Sequence, residues 1–335
     1  MLMEKENKTN DSNNNKTIDV VVPCFNEADN IPEFYRVMSE TEAGIERYSF
    51  SYIFVDDGSS DDTLKVLKTL ADDNKNNPGR IRYISFSRNF GKEAAIYAGL
   101  KASSEGLNGE TSDYVVLIDA DLQHPPEIIK KMIDVIEETG CDCCAARRAS
   151  RKGEPVVRSA FSSLFYKIMN RLSDIEIVED AMDFRMMSRA MVDAVVSMPE
   201  TQRFSKGLFT WVGFDTRWID VEIKDRFSGT SRWSPHSLIN YAIAGYLDFA
   251  GVPLKVAGFM GGTITVLSGL YLILELLKTI FVGKDLPGYE SIICLLLLFG
   301  GSVIALIAFI GEYIGRMYME AKHRPIFIVK ETNTD

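Results

Sequence analysis

Two carboxylates one residue apart, Asp119 and Asp121, follow the apolar run Val115-Val116-Leu117-Ile118. At the end of a buried strand both can turn toward one cation, and hard oxygen ligands suit magnesium or manganese. Gln123, two residues on, offers a further oxygen. An Asp-x-Asp alone reads as easily as a solvated turn; the strand before it and the glutamine after it favour a metal.

A second acidic pair opens the run Asp56-Asp57-Gly58-Ser59. One reading makes it a turn that caps the next helix through Ser60 or Asp61, which explains the later residues but not the first two acids. The other has Asp56 and Asp57 accept the N–H of a uracil or guanine ring, or the ribose hydroxyls. No GxGxxG follows the first strand and no GxxxxGK[ST] occurs anywhere, so dinucleotide and P-loop readings fail. A diphosphate here would need a metal and cations such as Arg88, Lys92, Arg147 or Arg148. Further on, Arg226 and Arg232 flank a Gly-containing turn. Each guanidinium offers two parallel donors to a phosphate, so the pair either binds one specific lipid phosphate or meets anionic headgroups nonspecifically.

The elements that must position these groups alternate. Strand-like Ile18–Val22, Tyr52–Val55, Ile81–Phe86, Tyr114–Ile118 and Cys141–Ala145 are separated by helix-like Asn30–Ile45, Asp61–Ala71, Lys92–Ala102 and Glu127–Glu138. That order predicts an α/β fold with a largely parallel sheet. Such sheets bind ligands beyond the carboxyl ends of their strands, and the clusters Pro23–Glu27, Asp56–Ser59, Arg88–Lys92 and Asp119–Asp121 all fall there.

At 335 residues the chain holds one sizeable α/β domain and something smaller, and a net charge of −10 argues against a general nucleic-acid binder. The five cysteines lack the spacing of a zinc site and read as reduced thiols of a cytosolic domain. Residues 1–16 read as a disordered tail, 17–233 as the catalytic domain and 320–335 as a cytosolic tail. Between them, Val256–Leu274 and Ser291–Gly311 carry no charge over a bilayer-spanning length, which predicts two transmembrane helices within 255–319. Lys255 before the first span and Arg316, Lys322 and Arg324 after the second place both chain ends in the cytoplasm, giving a multi-pass protein of the inner or plasma membrane. Within 234–254, Ser237–Phe249 reads as a helix that either lies in the membrane interface or packs on the soluble domain.

Taken together, Val22-Pro23-Cys24-Phe25-Asn26-Glu27, Val55-Asp56-Asp57-Gly58-Ser59, Asp119-Ala120-Asp121-Leu122-Gln123 and Asp183-Phe184-Arg185 resemble the inverting family 2 glycosyltransferases of the GT-A fold. With the two spans and the closing Arg324-Pro325-Ile326-Phe327-Ile328-Val329, the chain looks most like the polyprenyl-phosphate branch, the bactoprenol glucosyltransferases and dolichol-phosphate mannose synthases. It departs from that pattern at Met182, where a glycine is usual, and at Arg232, where a lysine is usual.

The resemblance implies that Pro23, Asn26, Glu27, Asp56 and Asp57 frame the nucleotide, with Arg88 and Lys92 on its diphosphate, and that Asp119, Asp121 and Gln123 surround Mg2+ or Mn2+. It implies that Asp183, with Asp121, serves catalysis, and that Arg147, Arg226 and Arg232 meet the acceptor phosphate. The expected reaction moves a hexose, glucose from UDP-glucose before mannose from GDP-mannose, to a polyprenyl phosphate at the bilayer surface with inversion. An acceptor phosphate is already anionic near neutral pH, so Asp183 is either a base or a group that orients sugar hydroxyls or the acceptor. Its structural alternative is a cap or an ion pair with Arg185. The resemblance also implies a homo-oligomer, often a tetramer. The rivals are a processive polysaccharide synthase, whose Gln-x-x-Arg-Trp is missing at Gln202-Arg203-Phe204, and a non-catalytic scaffold that keeps the fold.

Overall fold

The run Ile18 to Val22 is apolar apart from Asp19, and a strand buried on both faces needs such a run. In the computed structural model, which describes residues 15–149, 178, 180–201, 203–222 and 288–334 except 78 and 108, with scattered positions between 263 and 281, it is the centre of a sheet. The elements run β1 (Lys16–Cys24), α1 (Asn30–Ala43), β2 (Tyr48–Asp56), α2 (Thr63–Asp73), β3 (Ile81–Phe86), α3 (Lys92–Glu105), β4 (Tyr114–Leu117), α4 (Ile128–Thr139) and β5 (Cys143–Arg148). There follow β6 (Ala181–Ser188), α5 (Arg189–Val196), α6 (Ser205–Trp211), β7 (Thr216–Val221), α7 (Tyr289–Ala321) and β8 (Val329–Thr332).

The eight strands lie in the order β7-β5-β6-β4-β1-β2-β3-β8. β4, β1, β2 and β3 are parallel, as the alternation predicts. β6 runs against both β4 and β5, and β8 runs against β3. The result is a GT-A-like α/β fold whose parallel half carries the helical crossovers.

Side chains of β1 divide between two cores. Val20 and Val22 join Phe34 and Met38 of α1, Leu67 of α2 and Ile133 of α4 on one face. Val21 joins Ala95 and Leu100 of α3 and Met191 and Val195 of α5 on the other. Each fully buried aliphatic side chain contributes about 1.5–3 kcal/mol. Helix α3 is built to approach closely: a Cβ at Gly99 would lie 2.3 Å from Cγ1 of Val21. The absence of a side chain there lets α3, which starts at Lys92, lie close against β1.

The stretch expected as a C-terminal tail carries β8. Phe327 stacks on Phe86 at 4.9 Å, Ser87 N–H donates to the Ile328 carbonyl, and Asn333 extends the ladder by accepting from Tyr83 N–H and donating to the Ile81 carbonyl, both at 2.8 Å. Helix α7, 33 residues long, contains the one helix among the described residues long and apolar enough to cross a membrane, and it overlaps the expected second span. Its apolar side chains, such as Ile304 and Ile307, are exposed in the isolated chain. Within it Arg316 pairs with Glu312 one turn earlier, at 3.3 Å.

The first expected span lies largely outside the described residues; its positions 263, 267, 270, 271, 273 and 274 are helical. The segment 1–14, the helix Ser237–Phe249, and Arg226 and Arg232 also lie outside them.

Candidate active site

Strand β1 ends in a loop tied to the one after β2. Asn26 adopts a left-handed φ of 54°, which asparagine tolerates better than most residues. Its N–H donates to Ser59 Oγ and its Oδ1 accepts from Ser60 N–H, both at 2.8 Å. Glu27 N–H donates to Thr63 Oγ1 at 2.8 Å. Pro23 pairs with Val55 in the last rungs of the ladder.

Asp56 and Asp57 are almost fully buried, and both already hold the protein's own donors. Asp56 accepts from Ser59 N–H at 3.0 Å and from Ser85 Oγ at 2.7 Å. Asp57 accepts from Phe90 N–H at 2.6 Å and Gly91 N–H at 2.9 Å, which fixes the loop between β3 and α3. Burial raises the Asp57 carboxyl above its ordinary value, with those two amides partly opposing. Gly58, at φ 64°, lets this loop close on its neighbour, since a Cβ there would lie 2.3 Å from the Arg88 carbonyl carbon. Arg88 is exposed, its guanidinium 4.0 Å over the Phe90 ring. The capping alternative also holds in part, because Asp61 Oδ1 accepts from Thr63 N–H at the start of α2.

Three charged groups meet beyond the strand ends. Lys92, first residue of α3, places Nζ 2.8 Å from both Oδ1 and Oδ2 of Asp119 and 2.7 Å from Oδ2 of Asp183. Their side chains are 38%, 25% and 20% exposed, so the cluster is open to solvent and to a ligand. Burial works against the Lys92 charge, but the two carboxylates outweigh it and hold the ammonium above the ordinary lysine range. Burial likewise opposes ionisation of Asp183, and Lys92, Lys206 and Arg185 outweigh it, holding that carboxyl below the usual carboxylate range. Lysine at a helix N-terminus faces the positive end of the dipole, so the carboxylates are what keep it there.

Asp121 is buried, and its Oδ1 accepts from Gln123 N–H at 3.1 Å across Leu122, which takes a φ of 57°. No group of three or more His, Cys, Asp or Glu forms a metal cage among the described residues. Two neighbouring carboxylates still fit magnesium or manganese, which commonly take one or two carboxylates and complete their shell with substrate phosphate and water.

Sequence reasoning missed what stands behind Asp183. Arg185 is buried on β6, lies 3.9 Å over the Phe209 ring, and donates to the carbonyls of Met182 and Asp183 at 2.9 and 3.2 Å. It therefore supports the Asp183 backbone, where an ion pair with the carboxylate was the alternative. Lys206 of α6 donates to the Ala181 carbonyl at 2.7 Å, and Glu93 receives Ser205 N–H at 3.0 Å, anchoring that helix. A cationic residue, Arg185, set between Phe184 and Met186 in an otherwise apolar stretch of strand was the available signal. Arg147 stands apart from the cluster: half-exposed on β5, it pairs with Asp220 of β7 at 2.6 Å. The four described cysteines are free and buried.

Residues 19–196 match the family model described as glycosyl transferase family 2. CsbB of Bacillus subtilis (strain 168) is 41% identical over 316 residues, covering 94% of this chain and 92% of that one. A bactoprenol glucosyl transferase of Shigella phage SfV is 36% identical over 313 residues, covering 93% and 98%. Among solved structures, the mannosyltransferase PcManGT from Pyrobaculum calidifontis, in complex with GDP-Man and Mn2+, is 14% identical with a TM-score of 0.44, covering 77% of this chain and 80% of that one.

Proposed function

The chain belongs to glycosyl transferase family 2 and is a glycosyltransferase, and on that premise we propose that it moves glucose from UDP-glucose to a polyprenyl phosphate at the cytoplasmic membrane face, with inversion. The observation that carries this reading is the open cluster of Lys92, Asp119 and Asp183 beyond the strand ends, beside the Asp56 and Asp57 loops. The likeness to the phage bactoprenol glucosyl transferase supports the acceptor and the sugar.

Asp119 and Asp121, with Gln123, would hold Mg2+ or Mn2+, which when bound neutralises the charge growing on the leaving diphosphate. Pro23, Asn26, Glu27, Asp56 and Asp57 frame the nucleotide, and each Asp56 and Asp57 oxygen keeps a second lone pair for it. Arg88 and Lys92 bring positive charge to the diphosphate. A phosphate oxygen of the acceptor attacks the anomeric carbon as the bond to the diphosphate breaks. Because that oxygen is already anionic, Asp183 need not remove a proton. Ionised, it orients a sugar hydroxyl or the acceptor. Arg147, Arg226 and Arg232 receive the acceptor phosphate. Helix α7 and the segment Val256–Leu274 form a two-span anchor with both ends cytoplasmic, and the assembly is a homo-oligomer.

The test is a panel of labelled nucleotide sugars incubated with membranes containing the enzyme, undecaprenyl phosphate and a divalent metal. Label from UDP-glucose should enter a lipid-extractable product that carries one sugar. Label in a polymer, or no transfer from any donor, would overturn the proposal.

A further inference from the structure

Asp119 is half of the carboxylate pair available to a metal, yet the Lys92 ammonium sits 2.8 Å from each of its two oxygens. A magnesium ion binds oxygen ligands at about 2.0–2.1 Å. An ion so placed on Asp119 would meet the ammonium at close range, and two cations cannot share that edge without strong repulsion. Lys92 can leave. Its four-carbon stem is flexible, its side chain is 38% exposed, and Asp183 gives it a second anionic contact at 2.7 Å. What it lacks without donor is a reason to leave, because at the positive end of α3 the anionic partners it has among the described residues are Asp119 and Asp183.

Resting on the family reading above, we infer that Lys92 is the resident cation of the metal site: it covers Asp119 until a nucleoside diphosphate arrives, then turns to that diphosphate and releases Asp119. The diphosphate supplies both things the exchange requires, new oxygens for the ammonium and extra negative charge for the incoming metal. Metal and nucleotide therefore bind as one unit, and the donor-free enzyme holds metal poorly. Asp183, relieved of part of its ion pair in the same step, becomes free to meet the sugar or acceptor only once donor is in place. This would restrain hydrolysis of donor in a half-assembled site.

The experiment is Mn2+ binding to the full-length enzyme in detergent micelles, followed by electron paramagnetic resonance of the free ion, with and without UDP. Wild-type enzyme should bind Mn2+ weakly alone and tightly with UDP. Lys92→Gln should bind Mn2+ alone more tightly than wild type, by roughly 5- to 150-fold, the usual span of coupling between two ligands. UDP should then add less than it adds for wild type. Lys92→Arg, which keeps the charge, should keep the wild-type dependence on UDP. Unchanged or weaker Mn2+ binding by folded Lys92→Gln overturns the inference. Should that variant not fold, equal Mn2+ affinity of wild type with and without UDP overturns it alone. If wild type binds no Mn2+ even with UDP, the metal reading itself falls, a different failure from the first two.

Discussion

The same sheet carries a carboxylate–cation cluster at each end, and they differ in what surrounds them. Near the start of β1, Asp19 pairs with Arg82 at 2.6 Å, accepts from Ser103 Oγ at 2.6 Å and from Ser51 Oγ, and both charged side chains are sealed at 5–6% exposure. Beyond the other end, Lys92, Asp119 and Asp183 are four to seven times more exposed. In the first cluster hydroxyls share the carboxylate with the guanidinium, and both charged side chains are closed off from solvent. In the second, one ammonium serves two carboxylates, one just beyond β4 and one on β6, and all three side chains remain reachable from solvent. A sealed ion pair is architecture, whereas an open one whose partners a ligand can replace is machinery.

Breaking the sealed pair should have the largest effect, on stability alone. Arg82→Met leaves Asp19 as an uncompensated buried charge and should cost about 3–5 kcal/mol in chemical denaturation, with the donor KM of the folded fraction unchanged. An altered donor KM at wild-type stability would reverse the contrast. Next is Asp121→Asn, which removes one anionic ligand without changing volume. Transfer should fall on the order of 100-fold or more while the melting temperature holds. Full activity in chelator-treated wild type would count against the metal.

Asp183→Asn sharpens the comparison inside the open cluster. Turnover should fall roughly tenfold, with a smaller effect on donor binding, if the carboxylate acts by orientation. Its depressed pKa means that its favourable contribution is present above the ordinary carboxylate value and is lost only as pH falls through the lowered one. The pH–rate profile between about pH 5.5 and 8.5 should therefore have the same shape in wild type and mutant. An ionisation that vanishes with Asp183 in that range would make it an acid or base. The smallest effect belongs to Arg147→Ala. This exposed pair with Asp220 should change stability by at most about 1 kcal/mol. A few-fold rise in the KM for polyprenyl phosphate would support its acceptor role, and a wild-type KM would leave the residue as an ordinary surface partner of β7.

Much of the parallel half could be read from the chain alone, because each strand from β1 to β4 is an apolar run followed by a polar cluster, and the fold places all such clusters at one end. The acidic motifs were legible for the same reason. Their hydrogen bonds were not. That Asp57 holds the amides of Phe90 and Gly91 depends on how two loops close over Gly58, which no local pattern encodes. Lys92 was read as a cation for a diphosphate; the partners it has in the structure lie 27 and 91 positions away and meet it only because β6 returns antiparallel beside β4. Strand β8 escaped notice because its four residues, Val-Lys-Glu-Thr, are too short and polar to show alternation, and the edge it covers belongs to a strand almost 250 residues earlier.

That last strand bears on any attempt to make the sheet domain without the apolar helix α7. The residues after α7 complete the sheet: Val329–Thr332 pair with β3, and Phe327 covers Phe86. Cutting the chain ahead of α7 removes the greasy helix and, with it, the cover of that edge. The exposed rim would then offer β3, six residues all buried in the intact protein, to the edge of another molecule. A shortened enzyme meant to be soluble would on these grounds precipitate through strand pairing. Re-attaching 326–334 by a flexible linker is the repair the sheet calls for.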